Sequence, residues 1–181
     1  MTGKTHVAIG IATALTISIG QPPEEQLVLV LTSVIGSLIP DLDHPKGKLN
    51  QKLLLINNNF YRALFYSSLG FIFMYLYFLK GIRYFLLLGI VSFLIGISNH
   101  RGFTHSILGF LASASIVGVV TLKHDLPNAY SGFIIGYALH LIADFFTPKG
   151  IKLFYPLNVN VSSPITIKTG SGTERIIFML L

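Results

Sequence analysis

Five of the six histidines and three of the seven acids in this chain fall into four short clusters. They are His6; Asp41, Asp43 and His44; His100 and His105; and His140 with Asp144. Imidazole nitrogens and carboxylate oxygens together form the donor set that suits Zn²⁺, Mn²⁺ or Fe²⁺. There is no cysteine, so disulfides are excluded and a bound metal would take only N and O ligands. His140-Leu-Ile-Ala-Asp144 puts two donors one turn apart on a helix face, a spacing fit for one ion or for a carboxylate orienting an imidazole. A structural hydrogen-bonded pair is the plainer reading of that motif alone. Asp41-x-Asp43-His44 lies between Pro40 and Pro45. Carboxylates so close repel unless a cation sits between them, although an exposed acidic turn has the same composition. In Asn99-His100-Arg101-Gly102-Phe103-Thr104-His105, Gly102 permits a tight turn and Thr104 is the expected N-cap of the next helix. Arg101 is planar and always charged, which suits a phosphate oxygen; an anchor on the basic side of a membrane is the alternative.

The elements that carry these clusters are apolar. Hydrophobic residues make up 52% of the 181 and charged residues 11%, and mean hydropathy is +0.69. These values point to a polytopic, all-α helical membrane protein forming a single integral-membrane domain. Helices are expected over 5–20, 24–39, 60–79, 84–98, 104–122 and 129–146, about six transmembrane or interfacial segments, with four as the rival count. The first run also fits a signal peptide. The bundle would occupy 5–147 and a cytoplasmic-side tail 148–181. That tail alternates weakly at Val159, Val161, Ile165 and Ile167, as in a short hairpin, and Ser171-x-x-Glu174 fits a capping box opening a last, short helix. The net charge of +6 has no basic tail or recognition motif behind it, so nucleic acid is not an expected partner; membrane lipids are.

With six passes, one set of loops holds Lys4, Lys46, Lys48, Lys52, Arg62, Arg101, Lys149, Lys152, Lys168 and Arg175, and the other only Lys80, Arg83 and Lys123. That asymmetry puts the first set in the cytoplasm. All eight candidate ligands fall on that side at one depth, and His124 falls opposite. Steps of four from each ligand meet small residues, as with Gly10 and Ala14 from His6, Ser37 and Ser33 from Asp41, or Gly136 and Gly132 from His140. Such stripes let membrane helices approach closely. The aromatic helix 60–79 has no such stripe and is expected to face lipid.

Thr5-His6, Gly36-Ser37-Leu38-Ile39-Pro40-Asp41-Leu42-Asp43-His44-Pro45, His100-Arg101-Gly102-Phe103-Thr104-His105 and His140-Leu141-Ile142-Ala143-Asp144, in this order, resemble the YdjM-like family of bacterial inner-membrane proteins. The resemblance covers most of the chain, and the tail from Leu157 matches least. It implies a metal-dependent hydrolase whose ligand set is His6, Asp41, Asp43, His44, His100, His105, His140 and Asp144.

The expected chemistry is therefore hydrolysis of a phosphoester on an anionic lipid or lipid-linked substrate at the cytoplasmic leaflet. Zn²⁺ is favoured over Mn²⁺ or Fe²⁺, with one ion or two. Arg101 would hold a phosphate oxygen, and Asp43 is the expected proton acceptor. A divalent-metal transporter or sensor using the same donors is the alternative, although carriers need midplane sites and often show repeats. His-Glu-x-x-His is absent, which argues against a membrane metalloprotease.

Overall fold

Prolines and small polar residues set most of the helix ends. The computed structural model describes residues 1–181 and contains helices α1 (Gly3–Ile17), α2 (Pro23–Leu38), α3 (Asn50–Leu53), α4 (Asn59–Lys80), α5 (Arg83–Ile97), α6 (Ile107–Lys123), α7 (Pro127–Phe145) and α8 (Gly172–Leu180). Pro23 and Pro127 occupy first helical turns, where a missing N–H costs nothing. Asn58 Oδ1 accepts from Tyr61 N at 2.8 Å to open α4, which closes on Gly81 at φ 65°. Pro40 ends α2 and begins a 3₁₀ turn, Pro40–Asp43. A second 3₁₀ turn, Phe103–His105, separates α5 from α6.

That second turn corrects the expected start of α6. Ser106, not Thr104, caps the helix, accepting from Gly109 N at 3.0 Å. Thr104 instead donates to Pro40 O at 2.7 Å, tying the two 3₁₀ turns together. The expected hairpin in the tail reduces to one antiparallel bridge between Ile151 and Val161. α8 forms as the sequence predicts, with Ser171 Oγ accepting from Glu174 N at 3.4 Å.

Helices 23–43 and 59–80 are long and apolar enough to cross a membrane, and α5 and α6 are shorter apolar helices. α4 leaves Phe71, Phe78 and Leu79 exposed along its outer side, as expected of a helix facing lipid. The most extensive helix pairs are α2 with α7 and α4 with α5. The first pair is backbone on backbone: a Cβ on Gly136 would lie 2.0 Å from Ser33 O, and one on Gly36 would lie 2.2 Å from Phe133 O. Glycine at both positions lets the helix that ends in Asp41 and the helix that carries His140 lie at the shortest spacing.

Arg62, on α4, reaches across to the end of α5 and donates to Ile95 O and Ser98 O, both at 2.9 Å. Those carbonyls have no partner within their own helix, so the guanidinium closes α5 just before the Asn99–His105 hinge. The short α3 does similar service for the other loop. Asn50 Nδ2 donates to Leu42 O and His44 O, both at 2.8 Å, and Tyr66 OH donates to Asn50 Oδ1 at 2.7 Å.

The Gly136 contact generates a stability prediction. Gly136→Val should push α2 and α7 apart and destabilise the bundle by about 1–3 kcal/mol, as overpacking does. A fall in the thermal midpoint of detergent-solubilised protein measures it. An unchanged midpoint would mean that the two helices do not touch there.

Candidate metal centre

Every sequence-predicted ligand lies at one end of the bundle, where α1 begins and α2, α5 and α7 finish. Six of the eight form two donor groups, His6/His140/Asp144 and Asp41/His100/His105, the ligand atoms within each group lying within 4.8 Å of one another. The groups meet through His105 Nε2 and His140 Nε2, 3.2 Å apart. Two imidazole nitrogens on one tetrahedral ion at usual Zn–N distances sit about 3.3 Å apart. His6 Nε2 lies 3.2 Å from Asp144 Oδ1, and the His6 ring stacks on His140 with centroids 3.7 Å apart. His6, His105, His140 and Asp144 are all buried.

Hydrogen bonds fix which ring nitrogen faces inward. His140 Nδ1 donates to Ser37 O at 2.7 Å, leaving the Nε2 lone pair toward the centre. His105 Nδ1 and His100 Nδ1 lie 3.1 and 2.9 Å from the two oxygens of Asp43. This is the carboxylate–imidazole arrangement that orients metal-binding histidines. Two Nε2 lone pairs facing each other at 3.2 Å repel unless a proton or a cation lies between them. The buried His6 Nδ1 has no hydrogen-bond partner. The cations of the chain also converge on the same carboxylate: the Met1 ammonium donates to Asp144 Oδ1, and Arg101 lies 3.1 Å from Asp144 Oδ2. The donor set, the assigned tautomers and the unpartnered nitrogen fit a divalent cation.

Asp43 stands behind the two donor groups. Its side chain is fully buried and accepts from His100, from His105 and from Arg101 N at 2.8 Å. With both oxygens engaged, it belongs to neither donor group and holds the Nδ1 side of both imidazoles. His44 also stands outside both groups. Its Nδ1 accepts from Lys46 N at 3.2 Å and its ring meets His100 edge-on at 4.4 Å. Burial and His100 hold the His44 pKa below its ordinary value, against the opposing pull of Asp41 and Asp43. Asp41 is half-buried, and its Oδ1 lies 3.9 Å from His140 Nε2. His124 is exposed at the C-terminus of α6, at the far end of the bundle.

Arg101 is held at several points. Its φ of 63° places a non-glycine residue in the left-handed region. Its N–H goes to Asp43, and NH1 donates to Thr147 Oγ1 at 2.8 Å and Gly150 O at 2.7 Å. The residue thus links the carboxylate behind the site to the one within it. A strained conformation kept by such contacts is common at functional positions.

The sequence reading missed Ser37 as a hydrogen-bond acceptor, Arg62 and Asn50 as loop supports, and the reach of Glu174. Glu174 is buried, and its Oε1 accepts from Thr2 N at 2.5 Å and Thr5 Oγ1 at 2.7 Å, while Oε2 accepts from Gly170 N at 2.6 Å. The tail is thereby clamped to the first turn of α1, one residue from His6. The capping-box motif was the visible signal, but its acidic side chain serves a distant segment.

The YdjM inner membrane protein family matches residues 1–180. The uncharacterized protein YvsG of Bacillus subtilis is 32% identical over 179 residues, covering 98% of this chain and 87% of that protein. The inner membrane proteins YdjM of Escherichia coli and of Shigella flexneri are each 30% identical over 156 residues, 84% of this chain. That match spans 62% of the length of each of those two proteins. No solved structure matches.

Two pH dependences follow. Burial alone would lower the His105 pKa, but Asp43 and Asp144 outweigh it and push it up to about 10. Metal-free, His105 therefore carries a proton that an incoming cation must displace. Zn²⁺ affinity, measured against a chromophoric chelator, should tighten by up to about tenfold per pH unit between about pH 6 and 8; a flat profile would contradict proton displacement. Burial alone would raise the Glu174 pKa, but the Thr2 and Gly170 N–H groups and the Thr5 hydroxyl outweigh it and hold it below the ordinary value. A depressed folded-state pKa stabilises above the ordinary carboxylate value, and that contribution is lost as pH falls through the folded-state value. Protection against hydrogen exchange in 172–180, referred to the intrinsic rate at the same pH, should fall on acidification below about pH 4. Glu174→Gln should show fast exchange already at neutral pH.

Proposed function

Since the chain belongs to the YdjM inner membrane protein family, we propose that it is a membrane-bound, metal-dependent hydrolase cleaving a phosphoester at the cytoplasmic surface of a bacterial inner membrane. The observation that carries this reading is the convergence of His6, His140 and Asp144 with Asp41, His100 and His105 through the 3.2 Å His105–His140 contact. Ten of the 13 lysines and arginines lie in the connecting segments, helix ends and tail on that side, which supports a site facing the cytoplasm. Two donor groups side by side suit a pair of ions, with Zn²⁺ favoured by the imidazole-rich ligation.

A divalent cation bound there would supply Lewis acidity toward a phosphoryl oxygen and lower the pKa of a bound water. The chain does the rest. Ser37 and Asp43 hold His140, His105 and His100 with Nε2 inward, so the ligands need little reorganisation. Arg101 balances the charge of Asp144 and carries a buried Nε with no partner, a donor available to a phosphate oxygen. Asp41 belongs to the second donor group, accepts no hydrogen bond and borders the cavity. With a single ion on the His6/His140/Asp144 group, Asp41 takes the proton of the attacking water, a role that the occupied oxygens of Asp43 disfavour.

Asp144→Asn is the direct test. Purified wild-type protein should contain Zn²⁺, Mn²⁺ or Fe²⁺ and release phosphate from phosphoester lipids in a chelator-sensitive way. The variant should lose most of its metal and at least about a hundredfold in rate, as loss of a metal site does, while His124→Ala retains both. Chelator-resistant hydrolysis would remove the reading. Metal uptake by proteoliposomes without any hydrolysis would put a carrier in its place.

A further inference from the structure

Above the donor groups lies a cavity of about 790 Å³ with fourteen lining residues, only one of them hydrophobic. Asp41, His44, His100 and Arg101 form part of its wall, so it is the entrance to the proposed metal centre. The remaining charges there are of one sign. Lys46 and Lys48 come from the loop after α2, Lys149 from the turn after α7 and Lys168 from the tail. None of the four has a carboxylate within salt-bridge distance. Asp41 is the single acid in the wall.

Four exposed lysines without an acidic partner, from three separate segments, line one polar cavity, and like charges gathered there repel one another. Lysines that serve only as anchors need no such convergence, because they can point outward to headgroups. A single phosphoester carries one or two negative charges, which Arg101 and a bound cation already oppose. The lysines exceed that requirement and match a ligand with further anionic oxygens beyond the reacting one.

We propose that the cavity binds a diphosphate: one phosphoryl group at the metal centre and Arg101, the second held by Lys46, Lys48, Lys149 and Lys168. This rests on the hydrolase reading and narrows its substrate to a diphosphate, either as a lipid headgroup or free. The nearly complete absence of apolar wall means that only the headgroup enters; an attached chain stays outside the cavity.

The test measures binding to full-length, metal-loaded protein in detergent, with four probes: inorganic phosphate, inorganic pyrophosphate, farnesyl monophosphate and farnesyl diphosphate. Each diphosphate should bind at least about tenfold tighter than its monophosphate, in line with extra charge-assisted contacts. A farnesyl diphosphate tighter than pyrophosphate identifies a lipid headgroup; equal affinities identify a free diphosphate. The quadruple variant Lys46→Gln/Lys48→Gln/Lys149→Gln/Lys168→Gln should lose the preference while its metal content, measured after each titration, stays at the wild-type level. Should that variant misfold, the pairs Lys46→Gln/Lys48→Gln and Lys149→Gln/Lys168→Gln should each lose part of it. Equal affinity for one and two phosphates in wild type overturns the proposal. So does a preference that survives the substitutions, or a lysine effect seen only as weaker retention on anionic vesicles. Lysine-dependent diphosphate binding by protein that holds no metal would sink the hydrolase reading and the placement of the first phosphoryl group, and leave only the lysines' hold on a diphosphate standing. Metal-dependent hydrolysis without the preference would do the reverse.

Discussion

The structure depends on placing two carboxylates, Asp43 and Asp144, inside one end of an apolar bundle. An ionised carboxylate removed from water costs several kcal/mol unless cations and N–H donors surround it. Asp43 is satisfied by two imidazoles and the Arg101 backbone; Asp144 by His6, Arg101 and the Met1 ammonium. The partners come from two segments remote from these acids, Met1 and His6 at the start of α1 and His100, Arg101 and His105 in the hinge between α5 and α6, so meeting the demand of the two side chains draws both segments to the ends of α2 and α7. The same demand produces the donor geometry. An imidazole that gives its Nδ1–H to Asp43 necessarily turns Nε2 the other way.

Close helix packing makes this convergence possible. Lipid supplies no hydrophobic drive between helices, so association relies on tight van der Waals contact over small residues. Gly36 and Gly136 bring the α2 and α7 backbones into direct contact, and that spacing places Ser37 O within 2.7 Å of His140 Nδ1. A packing feature near the middle of the bundle therefore sets a tautomer at its end. Arg62 and Asn50 extend the logic to the loops, closing helix ends that would otherwise fray beside the donor residues.

Function and scaffold divide along the bundle. Away from the donor end, the outer surfaces are apolar; at it, three connecting segments and a clamped tail enclose a polar, lysine-lined entrance. Glu174 belongs to this second part, since it anchors the tail that brings Lys168 to the cavity and steadies the turn preceding His6. Arg101 joins the two parts, with its backbone on one buried carboxylate and its guanidinium on the other.

Much of this was legible in the chain itself. Apolar runs bounded by Pro, Gly and Asn located six long helices to within about three residues, because span length and capping are local properties. The one-sided placement of His and Asp followed from counting alternations, which needs no coordinates. The small-residue stripes anticipated the close α2–α7 pair but not α4 on α5: helix 60–79 was expected to lack such a stripe, yet its Gly70 lies against Gly89. Other features depend on relations between residues distant in the chain. How both oxygens of Asp43 are occupied turned on which N–H groups reach it, and these come from residues 57, 58 and 62 positions away. The Thr104 and Ser106 assignment turned on the carbonyl of Pro40 claiming the threonine hydroxyl. Glu174 fits a local capping motif and accepts from Gly170 N, yet its other oxygen serves Thr2 and Thr5. Sequence periodicity determines where a side chain emerges from its own helix. Only the folded chain decides which of several donors and acceptors meet, because each can satisfy just a few partners and the nearest in space need not be near in sequence.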